Sequence, residues 1–151
     1  MPTAAQWKKA LQSGACDEAL RRLYVSDDPL PQRERCLRLL EQFTRLYGER
    51  EEMRIFSAPG RTELGGNHTD HQHGYGLAAA VTLDLVAVAS PSDDGFIRVK
   101  SRGFNKLDVI DLATAEPQAG ESTHSASLIR GIAEGFRAAG KAVGGFDAYT
   151  A

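Results

Sequence analysis

The sequence predicts an α+β fold in which helices come first and strands follow. Apolar residues recur at helical spacing before residue 50, and from Met53 the period changes to the alternation that is typical of strands. The composition agrees with a folded domain, since 42% of the residues are hydrophobic and 25% are charged. We therefore divide the chain into an N-terminal helical segment, residues 1–52, and a sheet-forming part, residues 53–151.

The helical segment is interrupted by a break at residues 27–31, where Pro29 and Pro31 restrict the backbone. After the break, apolar residues follow the i, i+3, i+4, i+7 spacing of a helix that ends at Gly48. These residues are Cys36, Leu39, Leu40, Phe43, Leu46 and Tyr47. We interpret the stripe as core packing.

The sheet-forming part contains several predicted strands. They cover residues 53–57, 83–89, 96–101 and 107–112, and a last one starts at Phe146. The first strand is expected to close at Pro59-Gly60, and the second is expected to be buried. A turn over residues 91–95 separates the second and third strands, and the third and fourth are expected to pair antiparallel.

A helix of about four turns is predicted before the last strand. The stripe expected to face the core consists of Leu128, Ile132, Gly135, Phe136 and Ala139, with Gly140 at the end of the helix. Its start lies near His124, and the capping hydroxyl is expected from Ser122, Thr123 or Ser125.

Charge and cysteine content exclude several classes of protein. Eighteen basic and twenty acidic residues give a net charge of −2, which lacks the basic excess of a nucleic-acid binder. The most apolar stretch, residues 77–89, is too short to span a bilayer. Cys16 and Cys36 lie far apart, which favours reduced thiols. We expect a cytoplasmic protein that binds neither nucleic acid nor membranes.

One glycine-rich segment, residues 58–74, concentrates polar side chains suited to chemistry. Its glycines let the backbone turn sharply and approach a ligand closely. The reactive side chains are those of Arg61, Glu63, Asn67, His68 and Asp70. Carboxylates and amides can bind pairs of neighbouring sugar hydroxyls, and an arginine stabilises the charge on a phosphoryl group in transfer.

This segment resembles the galactokinase signature, whose pattern is G-R-x-N-x-I-G-E-H-T-D-Y-x-x-G. The match has no gaps and falls on Gly60, Arg61, Gly66, His68, Thr69, Asp70 and Gly74. Two residue types have exchanged places, since Glu63 stands where the pattern has Asn and Asn67 where it has Glu. The pattern's Tyr is His71 here. Similarity then continues to the strand that starts at Phe146.

The resemblance implies membership of the GHMP kinases, with residues 53–151 forming the N-terminal part of a sugar-binding domain of the ribosomal protein S5 domain 2-like fold. It implies an enzyme that uses ATP and Mg²⁺ to phosphorylate the anomeric hydroxyl of galactose or a related sugar. Arg61 would stabilise the transition state and Ser101 would contact the nucleotide. The sugar would be bound by Glu63, Asn67, His68, Thr69 and Asp70. The phosphate loop, the catalytic aspartate and most magnesium ligands are expected after Ala151, so we expect the chain by itself to be inactive.

Two other functions stay open at this stage. His68, Asp70, His71 and His73 have side chains that could bind zinc, as in a metal-dependent hydrolase, although the HExxH pattern is absent. A kinase fold can also lose its chemistry and act as a sugar sensor. Because strand edges would lack neighbours, we further expect self-association of the chain.

Overall fold

The computed structural model describes residues 2–66, 73–114, 116, 118, 120, 121 and 123–151. Three helices come first, namely α1 (Ala4–Gln12), α2 (Asp17–Tyr24) and α3 (Leu30–Tyr47). The later elements of the described residues are β1 (Arg54–Gly65), β2 (Leu77–Ser92), β3 (Phe96–Ser101), β4 (Leu107–Asp111), α4 (Ser125–Ala138) and β5 (Gly145–Thr150). The predicted α+β class is confirmed. No helix in the described part of the chain is long and apolar enough to cross a membrane.

The strands form one mixed sheet in the order β1-β2-β5-β3-β4. The last strand in sequence, β5, lies in the middle, antiparallel to β2 and parallel to β3. The predicted antiparallel pairing of β3 with β4 is confirmed. The hairpin of β1 and β2 forms one edge of the sheet and β4 forms the other.

The expected end of the first strand at Pro59-Gly60 is wrong, because β1 continues through both residues to Gly65. Proline has no N–H to donate to a ladder, so strands tolerate it at sheet edges and irregularities. Pro59 satisfies both conditions, since β1 is an edge strand and its register with β2 shifts directly after Pro59.

The second predicted strand is longer and less buried than expected. Val86 and Val88 are buried, but Leu83 is 81% exposed and Leu85 is 50% exposed. β5 pairs with β2 only from Ala87 onwards, so among the described residues the earlier part of β2 has a partner strand on one side only. β2 also extends to Ser92, which shortens the predicted turn.

One face of the sheet packs against α1 and α3. The residues of this core include Leu11, Leu39, Leu40, Phe43, Met53, Val86 and Val88. The predicted stripe of α3 is confirmed at Cys36, Leu39, Leu40 and Phe43. The prediction is wrong for Leu46, which is 46% exposed in the last turn of the helix. Gly48 ends the helix as predicted, with a φ of 80° that favours glycine.

The break predicted at residues 27–31 is shorter in the structure, because α3 already begins at Leu30. Pro31 therefore lies in the first helical turn, where its missing N–H would have no helical partner. The Trp7 indole on α1 donates to the Met53 carbonyl at 2.9 Å, which ties the helices to the start of the sheet.

The other face of the sheet packs against α4, but through a different stripe from the predicted one. Ala126 and Ala133 of α4 pack on Ile97, Ile110 and Leu112. The predicted core residues point outwards, with exposures of 71% for Leu128, 62% for Ile132 and 56% for Phe136. Alanine brings the helix axis close to the sheet, and the larger side chains are left on the helix's flank.

The inner face of α4 also carries a buried arginine. Arg130 is 6% exposed and binds both carboxylate oxygens of Glu121, at 3.0 and 3.1 Å. It also donates to the Thr114 carbonyl at 2.8 Å. The charge of Arg130 is thus balanced by Glu121, and these contacts hold the connection after β4 against the helix.

The cap expected at the start of α4 is not the one observed. His124 occupies the N-cap position without a side-chain cap hydrogen bond. The hydroxyl of Ser125 instead donates to the Asp108 carboxylate on β4, and Thr123 precedes the cap. Ser122 lies outside the described residues.

The two apolar stripes allow a direct comparison. We expect Leu40→Ala to lower the free energy of unfolding by about 2–5 kcal/mol, because Leu40 is fully buried and its removal leaves a cavity. Urea denaturation followed by circular dichroism measures this change. Leu128→Ala is the matched control, and an equal loss in both variants would contradict the packing of α4 described above.

Candidate functional site

Two of the predicted site residues meet on the outer half of β1. Arg61 and Glu63 are two residues apart on one strand, so their side chains point to the same face. The Arg61 guanidinium lies 3.9 Å from the Glu63 carboxylate, and the two side chains are 77% and 40% exposed. An ion pair this exposed contributes little to stability, so both groups remain available to a ligand.

The remaining predicted sugar-binding residues, Asn67, His68, Thr69 and Asp70, lie outside the described residues, as does His71. In sequence they fall between Gly65 and Leu77, which are paired across β1 and β2. Gly66 has a φ of +77°, and a Cβ there would lie 2.0 Å from the Tyr75 carbonyl oxygen. Only glycine fits this approach. The segments before and after the predicted sugar-binding residues therefore contact each other, a few residues from Glu63.

A metal centre is not visible in the part of the chain that the structure describes. No group of three or more His, Cys, Asp or Glu side chains there could hold an ion. Of the four residues considered as zinc ligands, only His73 is described, and it is exposed.

The base of the hairpin is held by a buried carboxylate, that of Asp84 on β2, which is 2% exposed. It accepts hydrogen bonds from the hydroxyls of Tyr24 and Ser57, each at 2.5 Å. The Arg35 guanidinium donates to the same carboxylate at 2.5 Å and to the Asp84 carbonyl at 2.9 Å. We call these four residues the Asp84 cluster.

Ser101, the predicted nucleotide contact, lies apart from Arg61 and Glu63. It ends β3, three strands away from β1, which corresponds to about 14 Å across the sheet. It lines a cavity of about 300 Å³ together with Phe104, Lys106, Asp108, Thr123, His124 and Ser125. The Thr150 hydroxyl donates to the Ser101 hydroxyl at 3.0 Å and fixes that side chain.

The part of the chain that matches a known protein family includes most of this hairpin. The galactokinase galactose-binding signature matches residues 41–91. A galactokinase of Bacillus subtilis is 31% identical over 106 residues, which are 70% of this chain and 27% of the relative. A galactokinase of Streptomyces coelicolor is 32% identical over 111 residues, or 74% of this chain and 28% of the relative.

A solved structure agrees with these sequences. The crystal structure of Lactococcus lactis galactokinase complexed with galactose superimposes with a TM-score of 0.65 and 28% sequence identity. The superposition covers 73% of this chain and 29% of that one. The chain belongs to the galactokinase family. It spans between 21% and 28% of the length of the curated galactokinases named here and of others that match it, and it corresponds to their N-terminal portion.

Within the galactokinase family, the signature covers only part of the site. Residues 41–91 include the hairpin, Arg61, Glu63 and Asp84, but neither Tyr24, Arg35 nor Ser101. Sequence reasoning missed all of the Asp84 cluster. Its members are 27 to 60 residues from Asp84 in sequence, and the one usable signal was an aspartate inside an apolar strand.

The neighbours of Ser101 were also missed. Phe104, Lys106 and Asp108 lie in or beside the turn from β3 to β4, which sequence reasoning treated as a plain connection. His124 was interpreted only as a polar residue at a helix start. A lysine and an aromatic residue in one short turn were the available signal.

The Asp84 cluster predicts a specific pH dependence of stability. Burial raises the pKa of Tyr24, and the hydrogen bond to Asp84 raises it further, to about 12. Burial likewise raises the pKa of Tyr47 to about 12. An unfolded tyrosine has a pKa of about 10, so folding favours the protonated form. The stability from these groups is complete below pH ~10 and lost as the pH rises towards ~12.

We expect Tyr24→Phe to make the alkaline loss of stability less steep, because one of the two shifted groups is removed. Urea unfolding at several pH values between about 9 and 11.5, monitored by circular dichroism, measures the slope. Tyr47→Phe is the matched comparison. An unchanged slope in Tyr24→Phe would rule out the buried hydroxyl described here.

Proposed function

We propose that this chain forms the sugar-binding part of an ATP-dependent kinase that phosphorylates the anomeric hydroxyl of galactose or a closely related sugar. The observation that carries the proposal is the match of residues 41–91 to the galactose-binding signature, on a hairpin that holds Arg61 and Glu63 exposed on one face. The whole activity is proposed for a protein of the relatives' length, since the parts of them that align with this chain are only 27% and 28% of each relative.

Each site residue has a defined task in this proposal. Arg61 stabilises the negative charge on the phosphoryl group in transfer, which its permanent charge and fixed donors suit. Asn67, His68, Thr69 and Asp70 bind the sugar hydroxyls and hold the anomeric oxygen in line. An aspartate from the rest of the kinase, expected after Ala151, would receive or orient the proton of that hydroxyl.

The position of Glu63 bears on which sugar is bound. Its carboxylate lies on the same strand face as Arg61 and close to the flanks of the sugar-binding residues. The exchange of Glu63 and Asn67 relative to the family pattern leaves one carboxylate and one amide in the signature segment. Because an amide donates as well as accepts, the exchange alters which sugar substituents are favoured.

The side chains that line the cavity around Ser101 support our proposal that this region contacts the nucleotide. It combines hydroxyls, the Lys106 ammonium group and Phe104, whose residue is 70% exposed. An ammonium group suits phosphate oxygens, and an exposed aromatic ring suits the face of a base. ATP would supply the phosphoryl group. The resemblance to galactokinases implies that Mg²⁺ would be held mainly by residues after Ala151.

The alternatives are not favoured. The relatives named above are galactokinases, and none of them is a metal-dependent hydrolase. A non-catalytic sugar sensor would differ from a kinase only in lacking sugar phosphorylation. Every relative named above is a galactokinase, which favours the kinase. We also propose a cytoplasmic location, which the two free cysteines support.

Calorimetric titration with galactose, N-acetylgalactosamine and glucose tests the sugar site. We expect saturable binding of one of them, and we expect Asp70→Ala to abolish it by removing a bidentate acceptor. A second variant, Glu63→Asn with Asn67→Glu, restores the family order and is expected to shift affinity towards galactose by about tenfold.

The same titration can overturn the proposal. Absence of binding for all three sugars, in a chain that is folded by circular dichroism, would remove the sugar site and leave only the fold. Binding that survives Asp70→Ala unchanged would move the site elsewhere.

Self-association is a further part of this proposal, and the exposed stripe of α4 supports it. Leu128, Ile132 and Phe136 are each more than half exposed on one flank of the helix. We expect sedimentation velocity to show a concentration-dependent oligomer that Ile132→Lys with Phe136→Lys converts to monomer. Ala138→Lys, also on the exposed surface of α4, is the control. A wild-type chain that stays monomeric at high concentration would contradict this expectation.

A further inference from the structure

The Asp84 carboxylate is buried, although an apolar side chain could fill the same space. Buried ion pairs contribute little net stability, and an apolar side chain of similar volume often serves as well. A buried carboxylate with all its donors in place does, however, restrict geometry more than apolar contact does. The position of Asp84 in the hairpin indicates what geometry it restricts.

Asp84 stands at the last regular pair before the β1–β2 ladder breaks. Asp84 pairs with Pro59, and the next registered pair is Ala80 with Arg61. Gly60 alone on β1 therefore faces three residues of β2, residues 81–83. The bulge is tight, since a Cβ on Gly60 would lie 3.0 Å from the Leu83 carbonyl oxygen.

The break divides the hairpin into two parts. The inner part continues the sheet. Residues 61–65 and 77–80, which we call the outer hairpin, pair only with each other among the described strands. The outer hairpin carries Arg61 and Glu63 and leads into the predicted sugar residues. A bulge re-aims the strand that follows it, so the conformation at the break sets the direction of the outer hairpin.

The Asp84 cluster anchors that break to the N-terminal helices. Tyr24 comes from α2 and Arg35 from α3, and Arg35 binds both the side chain and the backbone carbonyl of Asp84. Arg35 also donates to the Ala151 carbonyl at 2.8 Å, beside β2. Ser57 adds a contact from β1 itself. Three separate elements thus meet on the one residue that begins the bulge.

We propose that Asp84 is a positioning residue for the site, and that Tyr24 and Arg35 act through it to fix the outer hairpin and with it Arg61 and Glu63. The N-terminal helices would then serve the binding site as well as the core. This proposal rests on the proposed sugar site.

The test compares Asp84→Asn and Tyr24→Phe with wild type in two measurements. Amide hydrogen exchange, read by NMR, reports the opening of each part of the hairpin. We expect exchange in the outer hairpin to accelerate by about tenfold, as for the loss of one hydrogen bond to a charged group, while residues 54–58 change much less. Titration with galactose is expected to show a weaker affinity by about the same factor. Tyr24→Phe keeps the ring, so it provides a folded variant if Asp84→Asn unfolds.

Asp147→Asn is the matched control. Asp147 on β5 is 1% exposed and is bound by Arg50 at 2.8 Å and Arg98 at 3.2 Å, but it does not contact the hairpin break. It should lower global stability without a selective change in the outer hairpin or in galactose affinity.

The outcomes separate this proposal from the proposed function. Uniform acceleration across the sheet in both Asp84→Asn and Asp147→Asn, or no change in the outer hairpin of Tyr24→Phe, would overturn the positioning role. If wild type binds none of galactose, N-acetylgalactosamine and glucose, the sugar site fails, and the exchange data still decide whether Asp84 fixes the outer hairpin. Faster exchange with unchanged galactose affinity would show that the outer hairpin does not govern the site, which also overturns the proposal.

Discussion

The carboxylate of Asp84 is buried, and its charge must be balanced by hydrogen-bond donors and an opposite charge. The arrangement of the helices and the edge hairpin depends on this requirement. A charge removed from water is tolerated only when opposite charge and hydrogen-bond donors surround it. Burial acts to raise the pKa of Asp84, but hydrogen bonds from Ser57, Tyr24 and Arg35 outweigh it and hold the pKa below its ordinary value. Because these donors come from β1, α2 and α3, compensation of the charge requires the helices and the edge hairpin to assemble together.

A second buried carboxylate organises the centre of the sheet in the same way. Asp147 on β5 binds Arg50, from the connection before β1, and Arg98 on β3. Arg98 also binds Asp94 at 2.6 Å in the turn before its own strand. Each buried acid thus ties together segments that are far apart in sequence, while the apolar contacts of α1 and α3 fill the space between them.

The galactokinase features of the chain concentrate at the edge of the sheet rather than in its core. An edge strand can accept Pro59, a bulge at Gly60 and a close backbone approach at Gly66 without disturbing a second neighbour. The glycines of the signature therefore have a mechanical role in the structure. Gly60 permits the bulge beside Arg61, and Gly66 permits the close approach to the Tyr75 carbonyl.

Local spacing alone predicted much of the fold. Most of the stripe of α3, its end at Gly48, and the β3–β4 pair depend on contacts between near neighbours and are confirmed, whereas Leu46 of that stripe is exposed. The resemblance to galactokinases came from a short gapless pattern in the hairpin, and comparison with known proteins supports it. The sugar-binding roles of residues 67–70 stay predictions, because these residues lie outside the described structure.

Only the tertiary structure decided which apolar residues are buried and which polar residues meet. The sequence of α4 predicted that its large apolar side chains face the core. Instead Ala126 and Ala133 pack on the sheet, because small side chains permit the closer approach. β1 continues through Pro59 because it lies at an edge, and strand order is not encoded in the residues around the proline. The partners of Asp84 lie up to 60 residues away, so their meeting depends on the packing of helices on the sheet and not on any local pattern.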